Sequence, residues 1–225
     1  MDGYRQIIET YFRQGHERSY THDEVVIQAD AAPDTMYYIL EGFVRVYSLN
    51  GRGEKYTHIM YGPGDIFPLA WLVHASRRNV YFQALAGATC LTLPASRINT
   101  EVLNNLGLCS AFLAQSVQQF KAYSDRVDIL VFKYARERLA YQLLFFAGRF
   151  GEHRDGGYLL PRQINQQIIG SSINLSRESV SRELDRLEEK GIVAYDGKCL
   201  GVLQPAALAQ EIHEVASADW WGLKL

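Results

Sequence analysis

Cysteine is scarce in this chain, and its spacing argues against two common uses of the residue. The three cysteines lie at positions 90, 109 and 199, so no Cys-x-x-Cys pair exists. Zinc and iron–sulfur sites draw on closely spaced cysteines, and a disulfide framework needs an even set of them. We therefore predict no metal site, no resident cofactor and no disulfide framework.

Histidine is also sparse, and this bears on whether the chain is an enzyme. A cupin-type enzyme built on a β-barrel needs clustered histidine and carboxylate ligands. The histidines show no His-x-His or His-x-x-x-His spacing; they are His16, His22, His58, His74, His153 and His213. We predict that the protein is not an enzyme, with a cupin-type enzyme as the less favoured alternative.

Long apolar runs and a strong net charge are missing as well. No apolar run approaches the roughly 18 residues of a membrane span, and the N-terminus shows no signal-peptide pattern. The net charge of −2 gives no general attraction to nucleic acids or to membranes. We expect a cytoplasmic protein with no membrane partner, long enough at 225 residues for two domains.

The clearest pattern that the sequence does contain lies between residues 165 and 190, where it predicts two short helices joined by a tight turn. Ile169 and Ile173 share one face of the first helix. Gly170 allows a second helix to approach closely because it has no Cβ atom. Asn174 lies where the chain must turn, and asparagine tolerates the positive φ that such a turn requires.

The second helix carries a buried stripe and a polar face. Ser176 is a suitable N-cap, and the helix is expected to end at Lys190-Gly191. Val180, Leu184 and Leu187 recur at i, i+4 and i+7, which predicts a buried stripe. The side chains outside the stripe are of the kind that read base edges in the DNA major groove: Arg177, Glu178, Ser181 and Arg182.

A β-hairpin is predicted after these helices. Apolar runs flank Asp196-Gly197, a dipeptide that favours a tight hairpin turn. The order helix, turn, helix, hairpin indicates a winged helix, and a plain helical hairpin with a charged surface is the alternative. Residues 162–198 carry six cations and six anions, so six minus six leaves them neutral. DNA binding would then depend on charge placement, helix N-termini and a second subunit.

The N-terminal part of the chain has the texture of a small β-barrel or jelly roll. Short apolar runs alternate with turn residues from about residue 19 to residue 94. Closely spaced short strands of this kind are typical of all-β barrels and rolls. A short amphipathic helix from Tyr4 to Phe12 precedes them.

A long helix is predicted next, from about Thr100 to Tyr134. Its apolar residues recur every seven positions, which suits a two-stranded coiled coil and therefore a homodimer. The alternative packs this helix on its own barrel. A further helix from Ala135 to Phe150 and a loop over residues 151–157 follow. The predicted dimer seam comprises Leu106, Leu113, Val117, Phe120, Val127 and Val131.

With these parts in this order, the chain resembles the Crp–Fnr family of bacterial transcription regulators over nearly its whole length. The most specific matches are Ser176 to Arg182, residues 38–46 and residues 62–67. The resemblance implies an α+β fold with an N-terminal cyclic-nucleotide-binding-like β-roll (jelly roll), a long dimerisation helix and a C-terminal winged helix-turn-helix. It also implies a homodimer that binds a palindromic operator in double-stranded DNA and contacts RNA polymerase.

The resemblance also suggests domain bounds and residue roles. The bounds are 1–100 for the β-roll, 101–135 for the dimerisation helix and 136–225 for the DNA-binding domain. Arg177, Glu178 and Arg182 would read a half-site containing TGA, and Ser181 varies between branches of the family. The family contacts DNA phosphates at the positions of Asn165, Gln167 and Ser176.

The effector region departs from members of the family that bind cyclic AMP. Those members carry Gly-Glu after the Gly-Asp turn and then Arg-Ser or Arg-Thr, whereas this chain has Pro68-Leu69 and Arg78-Asn79. Leu69 thus replaces the glutamate that grips the ribose, so we expect an effector other than cyclic AMP. A regulator without a small-molecule effector and a cyclic-nucleotide-responsive regulator are the alternatives. The possible pocket comprises Leu69, Arg78, Asn79, Tyr81 and Ser124.

Two features stay open from sequence alone. Arg77-Arg78 could hold an anionic or small organic effector, or could be a solvated pair at the start of a strand. Trp220-Trp221 could pack on the wing or the dimer helix, or could serve a partner protein. An oxygen-sensing cluster of the Fnr kind is not expected, because the N-terminal cysteine cluster is absent.

Overall fold

The computed structural model describes residues 3–69 and 79–212. Its contacts divide the chain into two compact units, Met1–Ser124 and Asp125–Leu225. The Arg77-Arg78 pair and the Trp220-Trp221 pair lie outside the described residues. Of the helices that are described, none has the length and apolar character needed to cross a membrane.

The first unit is a β-roll flanked by helices. The elements are α1 (Gly3–Phe12), β1 (His16–Tyr20), β2 (Val25–Ile27), β3 (Thr35–Leu49), β4 (Lys55–Tyr61), β5 (Ile66–Phe67), β6 (Tyr81–Pro94), α2 (Ala95–Asn104) and the larger part of α3 (Leu106–Val131). The antiparallel strands follow the order β1-β6-β3-β4, with β2 paired to β6 and β5 paired to β3. This arrangement confirms the predicted jelly roll.

A stack of aromatic rings fills one side of the central strands. The Phe67 ring lies parallel to Tyr37 at 4.9 Å, to Phe82 at 5.4 Å and to Tyr61 at 5.7 Å between centroids. All four side chains are buried, and burial raises the pKa of Tyr37 above its usual range. Offset rings of this size supply much of the apolar area that stabilises the roll.

The helices of this unit share a second apolar cluster. Ile8 and Phe12 of α1 are fully buried, which confirms the predicted amphipathic helix at the N-terminus. They pack with Ile98 of α2 and Phe112 of α3. Three helices therefore cover this side of the roll, which is not open to solvent.

The helical stretch predicted from about Thr100 to Tyr134 is confirmed over most of its length, but it is broken at Asn105 and ends at Val131. The chain leaves the helix at Asn105, where φ is −133° and ψ is 105°. The Asn105 side-chain oxygen accepts a hydrogen bond from the Leu108 backbone N–H at 3.0 Å and so begins α3. Asparagine competes with the helical backbone in this way, which is why it favours caps over helix interiors.

The second unit combines helices with a small sheet. The elements are the end of α3, then α4 (Ala135–Phe150), β7 (Glu152–Arg154), β8 (Gly157–Leu159), α5 (Gln166–Ile173), α6 (Arg177–Glu189), β9 (Val193–Asp196), β10 (Cys199–Val202) and α7 (Pro205–Gln210). The strand order of the sheet is β7-β8-β10-β9. Leu139, Leu143 and Phe146 of α4 are buried.

The predicted loop over residues 151–157 is instead a hairpin. Asp155 and Gly156 form its turn with φ of 47° and 82°. Both residue types tolerate positive φ, and Asp-Gly is a strong hairpin signal. The second strand of the hairpin, β8, also pairs along its other edge with β10, where Leu159 lies opposite Gly201.

Cys90 is expected to resist alkylation in the folded protein. It is buried in β6, and burial raises the pKa of its thiol from 9.0 to about 12. At pH 8 this lowers the reactive thiolate fraction roughly 1000-fold. In a Cys109→Ser/Cys199→Ser variant, iodoacetamide should label Cys90 rapidly in 8 M urea and at most about one-hundredth as fast under native conditions, as measured by mass spectrometry. Equal rates in the two conditions would contradict the buried position.

Candidate nucleic-acid interface

The first helix of the motif, α5, has a defined start and a defined end. The Asn165 side-chain oxygen accepts hydrogen bonds from the backbone N–H groups of Gln167 and Ile168, both at 3.0 Å. The helix ends at Asn174, whose φ of 54° and ψ of 46° lie in the left-handed region. The turn expected at Asn174 is thereby confirmed.

Gly170 lies at the point where α5 meets the turn and α6. A Cβ atom at this position would lie 2.7 Å from the backbone oxygen of Leu175 and 3.4 Å from Cγ2 of Val180. The first distance is shorter than a Cβ atom tolerates, and the obstacle is backbone rather than a flexible side chain. The close approach predicted from the glycine is confirmed, and it sets the spacing of the two helices.

The second helix, α6, follows the sequence prediction closely. The Ser176 hydroxyl accepts a hydrogen bond from the Ser179 backbone N–H at 3.1 Å and caps the helix. Val180, Leu184 and Leu187 form the buried stripe, with 0%, 1% and 6% exposure. This stripe fixes the rotation of the helix and so decides which side chains face solvent.

The face of α6 turned to solvent carries two guanidinium groups and a carboxylate. Arg177, Glu178 and Arg182 are exposed, and Ser181 is half-buried between them. Neither arginine forms an ion pair within the described part of the chain. The backbone N–H of Glu178 and the Ser176 hydroxyl keep the pKa of the Glu178 carboxyl low, so this group is an ionised acceptor at neutral pH.

The three side chains assigned to phosphate contact lie at the beginnings of α5 and α6. Gln167 is exposed on the first turn of α5. Asn165 and Ser176 are occupied as N-caps, so the amide group of Asn165 remains as a donor, whereas the hydroxyl proton of Ser176 also faces the Glu178 carboxylate. Helix N-termini favour phosphate through their free N–H groups and their dipole, so this placement is compatible with contacts to phosphate.

Two arginines that sequence reasoning did not identify hold the other end of α5. Nη1 of Arg126 donates to the backbone oxygen of Ser172. Nη1 of Arg138 donates to the backbone oxygen of Ile173 at 3.1 Å. Cations near a helix C-terminus satisfy its last carbonyl groups. Because the partners lie 46 and 35 residues away, no local pattern in the sequence signals these bonds.

The wing lies beside the start of α5. Strands β9 and β10 pair from Asp196 opposite Cys199 to Val193 opposite Val202. The Tyr195 hydroxyl accepts a hydrogen bond from the Gln166 side chain at 3.2 Å. Helix, turn, helix and wing therefore form one connected surface, as the winged-helix prediction requires.

Helix α3 packs through one face and leaves the other to solvent. On the packed face, Gln115 donates to the Asp65 carboxylate at 3.1 Å and Gln119 donates to the Ile66 backbone oxygen at 2.6 Å. The predicted seam lies on the exposed face, so its side chains are not used in packing on the roll. The exposed fractions are 87% for Leu106, 64% for Leu113, 58% for Val117, 76% for Phe120, 62% for Val127 and 75% for Val131.

The residues predicted to line an effector pocket lie in different environments. Leu69 packs against the cluster formed by α1, α2 and α3, whereas the Tyr81 ring stacks on Tyr47 at 5.1 Å between centroids. Asn79 and Ser124 are exposed, and Arg78 lies outside the described residues. No cluster of three metal-ligating side chains occurs within residues 3–69 and 79–212.

Comparison with protein families identifies both units. Residues 17–105 match the family described as "Cyclic nucleotide-binding domain". Residues 137–211 match the family described as "Crp-like helix-turn-helix domain". The second match spans every helix and strand of the motif and its wing.

Whole-length relatives agree with this division. The chain is 24% identical over 198 residues to the cAMP-activated global transcriptional regulator CRP of Escherichia coli O6:H1 (strain CFT073), covering 87% of this chain and 93% of that protein. The corresponding regulator of Pasteurella multocida is 25% identical over 199 residues, with the same coverage. Among solved structures, FixK2 from Bradyrhizobium japonicum superposes with a TM-score of 0.79 at 23% identity, covering 90% of this chain and 99% of that one.

Proposed function

The chain belongs to the Crp–Fnr family of transcription regulators, and on that premise we propose that it binds a palindromic operator as a homodimer. The observation that carries the proposal is the exposed face of α6, where Arg177, Glu178 and Arg182 make no ion pairs within the described residues. A family member of this kind is a transcription regulator, and we propose no catalytic role for it.

Base reading follows from the chemistry of the α6 face. An arginine can donate two hydrogen bonds to O6 and N7 of guanine, and a glutamate accepts from N4 of cytosine. A TGA half-site presents a guanine on one strand and its paired cytosine on the other. Arg177, Glu178 and Arg182 therefore match the donors and acceptors that this half-site requires, and Ser181 lies between them.

Phosphate contacts and the second subunit supply the rest of the affinity. We assign Asn165, Gln167 and Ser176 to the phosphates on either side of the groove, where the N-termini of α5 and α6 point. The seam on α3 supports a homodimer, since six large apolar side chains of one row stand in solvent. A two-fold dimer reads two half-sites about one helical turn, roughly 34–36 Å, apart.

We further propose that the β-roll modulates DNA binding through an effector other than cyclic AMP. Leu69 offers no acceptor for a ribose, and the interior of the roll carries the Tyr37, Tyr61, Phe67 and Phe82 rings. The relatives named as cAMP-activated make response to cyclic AMP an outcome to be tested. From the same family relationship we expect that the protein contacts RNA polymerase and acts in the cytoplasm, where the chromosome lies.

Selection of bound sequences from random duplex DNA tests this proposal. The purified protein should enrich a palindrome with two TGA-containing half-sites, first without ligand and then with cyclic AMP added. Enrichment only after the addition would overturn the proposed effector class. Failure to enrich any sequence in buffer, with cyclic AMP and with cell extract would overturn DNA recognition itself.

Arg182→Ala is expected to weaken binding to the selected operator by about 1–3 kcal/mol and to relax preference at one base pair. Affinity for random duplex DNA should fall much less, because phosphate contacts supply that binding. Fluorescence anisotropy titrations on both DNAs measure the difference. Arg186→Ala is the matched control, since Arg186 pairs with Glu183 at 2.8 Å on the same helix. Equal losses on the two DNAs would contradict base reading by Arg182.

A further inference from the structure

Two cations of the β-roll converge on one face of the sheet, beside the stacked rings of Tyr47 and Tyr81. Arg45 and Tyr47 alternate along β3, and the register places Gln83 and Tyr81 of β6 opposite them. Lys55 begins β4 opposite Leu49, two residues beyond Tyr47. The side chains of Arg45, Tyr47, Lys55, Tyr81 and Gln83 therefore share this face, which we call the cationic face.

Both cations are held by one neutral oxygen atom. Oε1 of Gln83 accepts from Nε of Arg45 at 3.0 Å, from Nη2 of Arg45 at 2.6 Å and from Nζ of Lys55 at 3.2 Å. The Gln83 amide is fixed in turn, because its Nε2 donates to the Asp23 backbone oxygen at 2.6 Å. The orientation of both cations is thus set by the fold.

An aromatic ring completes the arrangement. The Tyr47 ring centroid lies 4.9 Å from Cζ of Arg45 and 4.7 Å from Nζ of Lys55. Tyr81 stacks on the same ring at 5.1 Å between centroids. Cation–π attraction of this kind stabilises both cations and provides no negative charge.

The positive charge of this face is not balanced. Arg45 is 4% exposed and Lys55 is half-buried, yet neither forms an ion pair within the described residues. Burial lowers the pKa of Arg45 and of Lys55, and the Asp23 carboxylate opposes this fall from beyond ion-pair distance. That carboxylate lies 3.3 Å from Nδ1 of His22. A buried charge without a directly paired counter-charge is costly, and an amide oxygen offsets only part of that cost.

From this geometry we propose that the cationic face is a binding site for an oxyanion, a phosphate or carboxylate group carried by a small molecule. Nζ of Lys55 has two protons that Gln83 does not use, and Nη1 of Arg45 has no hydrogen-bond partner among the described residues. These donors and the Tyr81 ring are the groups that such a ligand would meet. The proposal is independent of DNA recognition, because every residue in it belongs to the first unit.

Nuclear magnetic resonance on the ¹⁵N-labelled full chain tests the site directly. Inorganic phosphate and acetate are titrated separately at constant ionic strength against chloride. At least one of them should shift the Arg45 Nε–Hε signal and the Lys55 and Gln83 backbone amides along one saturable curve. Phosphate bound at the DNA-reading surface would shift other signals, so the two sites are distinguished.

Variants decide whether the cations hold the anion. Lys55→Gln should weaken the saturable shift at least fivefold, whereas Lys55→Arg should retain it. Arg52→Gln removes an exposed cation from the neighbouring turn and should leave the curve unchanged. The proposal is overturned if neither anion shifts the Arg45 signal more than chloride does, or if Lys55→Gln and Arg52→Gln behave alike.

Discussion

Replacing Phe120 by aspartate is expected to convert the proposed homodimer into monomers and to weaken operator binding by about 100-fold or more. Phe120 is 76% exposed in the middle of the apolar seam. In a two-fold dimer each seam residue faces its own copy, so the variant would place two carboxylates against each other in an apolar contact. Like charges in such a place cost several kcal/mol, and a monomer reads only one half-site.

Sedimentation equilibrium measures the first effect and fluorescence anisotropy with a palindromic duplex measures the second. Gln118→Asp is the matched control, because Gln118 is exposed on the same helix but does not belong to the seam. Far-UV circular dichroism should be the same for both variants, since neither side chain is buried. A Phe120→Asp protein that stays dimeric would show that another surface forms the dimer.

Gly170→Val is expected to lower the free energy of unfolding of the second unit by about 3 kcal/mol and to abolish specific DNA binding. Even the first added atom would lie 2.7 Å from the Leu175 backbone oxygen. Valine adds two methyl groups to this crowded position, beside Val180. The turn must move to admit them, and α6 then loses its orientation toward DNA.

Urea denaturation, monitored by circular dichroism, measures the free energy of unfolding. Titrations with operator DNA measure specific binding. Gly3→Val is the control for a glycine-to-valine change in a helix, because a Cβ atom at Gly3 would meet no atom within 4 Å. Specific binding that survives in Gly170→Val would mean that the two helices need not approach so closely.

The helix-turn-helix could be predicted almost completely from sequence. Its N-cap at Ser176, its left-handed residue at Asn174 and its buried stripe from Val180 to Leu187 all depend on neighbours within a few positions. Local rules describe such features well. The hairpin at Asp155-Gly156 also has a local signal in its turn, but its strands are only three residues long, too short to show an alternating pattern.

The break at Asn105 shows what apolar periodicity does not mark. The heptad pattern carries no signal for a cap, whereas the Asn105 side chain bonds to the Leu108 backbone N–H and begins a new helix. Apolar repeats report which face of a helix is buried or paired. They carry less information about where the helix begins.

The amino-acid sequence was sufficient to predict the order of the main parts, the resemblance to the Crp–Fnr family and the side chains presented by α6, because each follows from local pattern or motif. Only the tertiary structure revealed the bonds from Arg126 to Ser172, from Gln115 to Asp65 and from Arg45 to Gln83, which join residues 46, 50 and 38 positions apart. The residue type of a polar side chain fixes which hydrogen bonds it can donate or accept. Its partner depends on which distant strand or helix the folded chain brings within about 3 Å.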